Sequence, residues 1–165
     1  MEKTVMEILA RKLCENLLAK NKTISTIEHC TSGILGSAIS SVCGLSSAYK
    51  GTIVTVDDKH LNKLLNIPIA MLNDNGIVSS QIACQMALAG LNRFESDICV
   101  GIVGNIDCAN STNNENDIVW ICAAFNDNGK ISFEYQKIFV FGLRGENIED
   151  AVNTTLEMLN EKIDG

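Results

Sequence analysis

The period of the apolar positions changes several times along the chain, and each change marks an element. Between residues 3 and about 20, Val5, Ile8, Leu9, Leu13, Leu17 and Leu18 recur at helical intervals with Lys and Glu between them. Asn21-Lys22 closes that helix, and Ile24 to Ile27 reads as a first strand. After a short polar stretch, Ile34, Leu35, Ala38, Ile39 and Val42 predict a second helix, with Gly44 placed to stop it. Gly51-Thr52-Ile53-Val54-Thr55-Val56 is β-branched nearly throughout and predicts the second strand. Asp57-Asp58 then offers an N-cap to a short helix whose apolar face is Leu61, Leu64 and Leu65. Pro68 ends that piece, and Asn73-Asp74-Asn75-Gly76 reads as a turn.

In the second half, Ser79 or Ser80 caps a long helix running through Ile82, Met86, Ala89 and Leu91 to about Phe94. The continuous apolar run from Asp97-Ile98 to Gly104 predicts a strand covered on both faces. Residues 105 to 117, rich in Asn, Ser, Thr and acid, read as a surface loop. Ile118 to Phe125 and Ile131 to Phe141 predict two strands joined through the hairpin sequence Asn126-Asp127-Asn128-Gly129. Asn147 to Ile163 closes the chain as a helix with Ile148, Val152, Leu156 and Leu159 inward. Early alternation and a late hairpin imply a three-layer α/β/α sandwich around a mixed, mostly parallel sheet. With no repeat and no linker, residues 1–165 are expected to form one domain.

Composition narrows the function classes. The chain is 46% hydrophobic and 20% charged, ordinary for a soluble protein, and its net charge of −7 excludes a general nucleic-acid surface. Its most basic segment, Lys59-His60-Leu61-Asn62-Lys63, reads as the exposed side of a short helix. The seven cysteines, at 14, 30, 43, 84, 99, 108 and 122, contain no CxxC pair and so predict neither a zinc site nor another metal centre. Cys14, Cys84, Cys99 and Cys122 are expected as small buried hydrophobes in a reducing cytoplasm. The polar N-terminal residues are not expected to form a targeting segment, and no apolar run approaches the roughly 20 residues that cross a bilayer.

Candidate chemistry concentrates on Thr26-Ile27-Glu28-His29-Cys30-Thr31-Ser32-Gly33. A strand entering a helix through a tight loop leaves N–H groups pointing outward beside a partial positive charge, the setting for anions and oxyanions. In an open α/β sheet, ligands bind beyond the carboxyl ends of strands. Three such ends, at residues 28 to 33, 56 to 61 and 104 to 109, would define a pocket with Glu28, His29, Cys30, Thr31, Asp57, Gly104, Asn105 and Asp107. His29 beside Cys30 invites a nucleophile pair, but neighbours on an extended segment point to opposite faces, which favours a buried, structural Cys30. Glu28 has two readings, substrate contact or satisfaction of the loop N–H groups. Asp57-Asp58 is expected to cap a helix rather than bind a divalent ion, His60 to be solvated, and Trp120 to be core. Gly101-Ile102-Val103-Gly104 is too sparse for a dinucleotide fingerprint. Residue chemistry alone gives a ligand-sized pocket without a complete catalytic set.

Over nearly its whole length the chain resembles the C-terminal domain of the competence/damage-inducible CinA proteins, a family that includes nicotinamide mononucleotide deamidases. The family's Ala-Glu-Ser-Cys-Thr-Gly-Gly loop corresponds to Ile27 through Gly33, and its strand ending in Ala-Tyr-Ser-Asn to Tyr49 through Asp58. Its Leu-Leu-Gly-Val is similar to Leu64-Leu65-Asn66-Ile67, its His-Gly-Ala-Val-Ser to Asn75 through Ser79, and its Gly-Thr-Val-Trp to Asp117-Ile118-Val119-Trp120. The resemblance implies a cytosolic α/β domain, often a homo-oligomer, with no cofactor. Active members hydrolyse the carboxamide of nicotinamide mononucleotide to the nicotinate nucleotide and ammonia, through a serine assisted by a tyrosine and a lysine. Here those positions carry His29, Val56 and Leu61, with Lys59 two residues before the last. The family's Thr-Gly-Ile-Ala-Gly-Pro stretch has become Val103-Gly104-Asn105-Ile106-Asp107-Cys108. The expectation is therefore a domain without standard deamidase activity that retains binding of a partner protein or of a pyridine nucleotide, the latter through Glu28, His29, Cys30, Thr31, Ser32, Gly33, Gly104 and Asn105. Two alternatives stand beside it: an amidohydrolase using Cys30 or Thr31, and an interaction module with no small-molecule ligand.

Overall fold

In the computed structural model, which describes residues 3–42, 44–106 and 117–165, eleven elements follow one another. They are α1 (Val5–Ala19), β1 (Ile24–Glu28), α2 (Ile34–Ser40), β2 (Tyr49–Val54), α3 (Asp58–Leu65), α4 (Ile69–Asn75), α5 (Ser80–Phe94), β3 (Ile98–Gly104), β4 (Asp117–Asp127), β5 (Lys130–Val140) and α6 (Arg144–Asp164). The sheet order is β2-β1-β3-β4-β5. β1 runs parallel to β2 and β3, while β4 and β5 are antiparallel, so the mixed sheet divides evenly between the two kinds of pairing. Both central strands, β1 and β3, are buried at every position, as their apolar runs require.

Helices cover both faces and make the expected three layers. Leu13 and Leu17 of α1, Leu35 and Ile39 of α2, and Leu156 and Leu159 of α6 fill one side. Leu61 of α3 and Ile82, Met86 and Leu91 of α5 fill the other. Glu28 lies in register with Val54 and with Ile102, so the segments leaving β1, β2 and β3 emerge along one edge of the sheet. This alignment positions the candidate site.

Several boundaries differ from the sequence reading. The buried face of α1 is Ala10, Leu13, Cys14 and Leu17, whereas Val5, Ile8 and Leu18 are exposed. Both sets have helical spacing, and the packing of α6, whose Asn160 donates to the Leu9 carbonyl at 3.0 Å, selects between them. A capping box between Thr4 and Glu7 fixes the start of α1. Pro68 does not end α3. Asn66, left-handed at φ 57°, caps it, and Pro68 sits at the N-cap of α4. Asn73 to Asn75 are consequently the last turn of that helix, with Gly76 as its C-cap, rather than a free turn. α2 stops at Ser40, before Gly44, and β2 runs from Tyr49 to Val54, leaving Thr55 and Val56 beyond its end. The hairpin forms as read, with Asn128 and Gly129 both at positive φ between the paired Asp127 and Lys130. Asp107, Cys108 and most of the expected 105–117 loop lie outside the described residues, as does Cys43.

Candidate functional site

Glu28 ends β1 with its side chain fully buried. One carboxylate oxygen, Oε2, accepts from Thr31 Oγ1 at 2.6 Å, from the Gly33 N–H at 3.0 Å and from the Leu35 N–H at 3.2 Å. The other, Oε1, accepts from the Gly36 N–H at 2.8 Å and from Thr26 Oγ1 at 3.1 Å. Ser32 and Gly33, both in the left-handed region, turn the chain so that the first N–H groups of α2 face back onto this carboxylate. A buried anion at the positive end of a helix, with its lone pairs filled, stabilises the corner. The hydroxyl chain extends from Thr26 to Thr52 and on to Tyr49. Gly36 leaves room for it, because a Cβ there would stand 2.1 Å from Thr52 Oγ1 and 2.7 Å from the Tyr49 hydroxyl. The three helix N–H groups expected to point outward at a ligand are thus directed inward at Glu28.

His29 and Thr55 flank this corner. The His29 N–H donates to the Ile102 carbonyl at 2.9 Å, and the Thr55 N–H donates to the Glu28 carbonyl at 2.9 Å, prolonging the ladders on both sides of β1. The His29 side chain is only 15% exposed, and its Nε2 stands 3.7 Å from Asp58 Oδ1, beyond hydrogen-bond reach. Among the described residues neither ring nitrogen has a hydrogen-bond partner, and both are covered from solvent. Burial pushes the imidazole below its usual pKa, with the Asp58 carboxylate opposing the shift, so the ring favours its neutral form. Thr55, itself buried, also carries an Oγ1 with no hydrogen-bond partner among the described residues. These three polar atoms belong to the residues that directly follow β1 and β2.

The other predicted site residues are placed as follows. Cys30 is 4% exposed in the core, and desolvation raises its thiol pKa to about 12. Thr31 is fully buried with its hydroxyl donated to Glu28. Ser32 is exposed and Gly33 half-buried. Gly104 lies against β4, where a Cβ would meet the Ile118 carbonyl and a Val119 methyl at 2.8 Å, and the Asn105 N–H donates to that same carbonyl at 2.9 Å. Asp57 caps α3 through the Lys59 N–H at 2.9 Å. Val56 is exposed, while Leu61 is sealed in the core under α5. Exposed Lys59 joins Asp58, Asn62, Ile69, Leu72, Asn73 and Ile77 in lining a groove of about 410 Å³ between α3 and α4. Sequence reasoning missed this groove together with α4. It also missed Thr55, which looked like an ordinary strand residue. Among the described residues, no group of three or more His, Cys, Asp or Glu is placed to hold a metal ion, and no helix is long and apolar enough to cross a membrane.

The family model for the CinA C-terminal domain matches residues 6–163. The chain belongs to the CinA C-terminal domain family. It is 32% identical over 164 residues to a CinA-like protein of Flavobacterium psychrophilum, a match covering 98% of this chain and 37% of that protein. With a CinA-like protein of Rippkaea orientalis it shares 39% identity over 98 residues, 59% of this chain and 24% of the relative. This CinA domain therefore spans well under half the length of those relatives. Among solved structures, it superposes on a CinA-superfamily protein of Klebsiella pneumoniae with a TM-score of 0.84 at 23% identity, covering 96% of this chain and 98% of that one. A competence/damage inducible protein of Agrobacterium tumefaciens gives a TM-score of 0.83 at 24% identity, over 100% and 99% of the two chains. These likenesses place the fold of the CinA domain.

Proposed function

We propose that this CinA domain binds a small amide-bearing ligand of the pyridine-nucleotide kind at the His29 corner and does not carry out the family's standard deamidation. The observation that carries this reading is that, among the described residues, neither the His29 imidazole nor the Thr55 hydroxyl has a hydrogen-bond partner, each directly following one of the in-register ends of β1 and β2. A neutral imidazole offers one donor and one acceptor, the complement of a carboxamide's carbonyl and NH₂. Leaving such groups unpaired costs about 1–3 kcal/mol apiece, which a fitting ligand would recover. The groove beginning at Asp58 and Lys59 has room for the remainder of the ligand. Loss of turnover is supported by the residues at the reactive positions. Histidine replaces the serine, exposed Val56 the tyrosine, and buried Leu61 the lysine.

The alternative nucleophiles are poorly placed. Cys30 is held as a thiol by burial, and the Thr31 hydroxyl is committed to Glu28. Incubation with nicotinamide mononucleotide should release no ammonia, and turnover abolished by Cys30→Ala would overturn that part of the reading. Calorimetric titration with nicotinamide mononucleotide and with the nicotinate nucleotide should show binding that His29→Ala removes. No heat with either compound would leave an interaction module as the better description.

A further inference from the structure

Away from the His29 corner, the packing of α5 on the sheet brings together two cysteines that are distant in the chain. Gly101 of β3 permits the approach. A Cβ there would run into the Ala83 carbonyl oxygen and stand 2.8 Å from the Ala87 nitrogen, so the helix backbone rests directly on the strand. Cys122 of β4 is the register partner of Gly101. Directly paired residues share a face of the sheet, so the Cys122 side chain points toward the same stretch of α5. Cys84 follows Ala83 and packs against the apolar cluster that holds Cys122. There the Cys122 thiol donates a hydrogen bond to the Cys84 sulfur. Both cysteines are free.

The two sulfurs are unequal. Cys84, expected from the sequence as a buried hydrophobe, is only half-buried. The hydrogen bond from Cys122 draws its pKa below the usual thiol value, against the opposing effect of burial. Cys122 is fully buried, and that hydrogen bond together with desolvation keeps it a thiol. The other described cysteines lack this combination. Cys14, Cys30 and Cys99 are all buried, with thiols pushed up to about 11, 12 and 12 by desolvation. We propose that Cys84 and Cys122 form a redox-modification site, where a hydroperoxide oxidises Cys84 and Cys122 resolves the product as a disulfide joining α5 to β4. The Cys84 thiolate attacks one peroxide oxygen; the O–O bond breaks, water leaves, and Cys84 becomes a sulfenic acid. The Cys122 sulfur then attacks the Cys84 sulfur, the S–OH bond breaks, and the hydroxide leaves as a second water with the Cys122 proton. Two electrons pass from the sulfur pair to the peroxide. A partly accessible thiolate with a second thiol already in contact is the arrangement this sequence of steps requires.

Hydrogen peroxide treatment of the reduced, folded full chain near neutral pH tests this, followed by alkylation in denaturant and peptide mapping by mass spectrometry. The expected product is a bridge between Cys84 and Cys122, assigned by fragmentation and cleaved by dithiothreitol, with Cys30 and Cys99 recovered as alkylated thiols. Cys122→Ala must stop the reaction at Cys84, captured as the dimedone adduct of its sulfenic acid. Cys84→Ser must leave Cys122 a free thiol. Unmodified Cys84 in the folded wild type, or a bridge joining Cys84 to a different cysteine, would overturn the inference. Should either variant fail to fold, wild type alone decides. The Cys84–Cys122 bridge must dominate in the native chain and give way to mixed pairings in urea, because the fold supplies the proximity. The same mixture in both conditions would sink the proposal.

Discussion

The Glu28 carboxylate and the backbone N–H of Gly36, eight residues further along, meet at 2.8 Å inside the core. The contact ties the end of β1 to the first turn of α2 and leaves the intervening loop little freedom. The anionic residue and three N–H groups at the start of α2 satisfy one another, and His29 follows with both ring nitrogens covered.

Removing the carboxylate should therefore be a stability event. Glu28→Gln keeps the shape but turns an NH₂ toward N–H groups and hydroxyls that have no other acceptor. Such a loss should cost about 3 kcal/mol, read as a lower urea midpoint at unchanged slope. A variant as stable as wild type would show that the hydrogen-bond network contributes little.

Gly36→Ala places a methyl against Thr52 Oγ1 and the Tyr49 hydroxyl. Overpacking of this kind should cost about 2 kcal/mol. Thr52→Ala removes the nearest of those atoms, so a double-mutant cycle should return a coupling of about 1 kcal/mol in the relieving direction. Strict additivity of the two changes would contradict the described contact.

His29 should give the protein a pH dependence of its own. Its folded pKa lies below its unfolded value because burial disfavours the imidazolium. Between those two values the unfolded chain binds the extra proton, so stability rises with pH through the window and falls as pH drops below about 6.5. Comparing thermal unfolding of wild type and His29→Gln between about pH 5 and pH 7 isolates this effect from the carboxylates. The two slopes should differ, with wild type losing more stability toward acid; parallel curves would count against a depressed His29.

Cys30 should behave as a hydrocarbon. With its pKa raised to about 12, only roughly one thiol in ten thousand is ionised at pH 8. Native-state labelling with a disulfide reagent should leave Cys30 unmodified until the protein is unfolded, as peptide mapping would reveal. Rapid modification in the folded protein would restore Cys30 as a candidate nucleophile.

What the sequence by itself determined follows from local periodicity. Continuous apolar runs identified β3, β-branched residues identified most of β2, and Asn128-Gly129 specified the hairpin because both positions require positive φ. Family likeness in ordered motifs was legible for the same reason, since those motifs are contiguous in the chain. The tertiary structure decided what depends on partners distant in sequence. It chose the buried face of α1, turned Asn73 to Asn75 into helix, and directed the α2 N–H groups onto Glu28 instead of solvent. A carboxylate has the same one-letter code whether it faces a ligand or a helix end, and only packing says which N–H groups surround it. The same holds for Thr55 and His29, whose lack of hydrogen-bond partners among the described residues becomes visible only when the ends of β1 and β2 are set side by side.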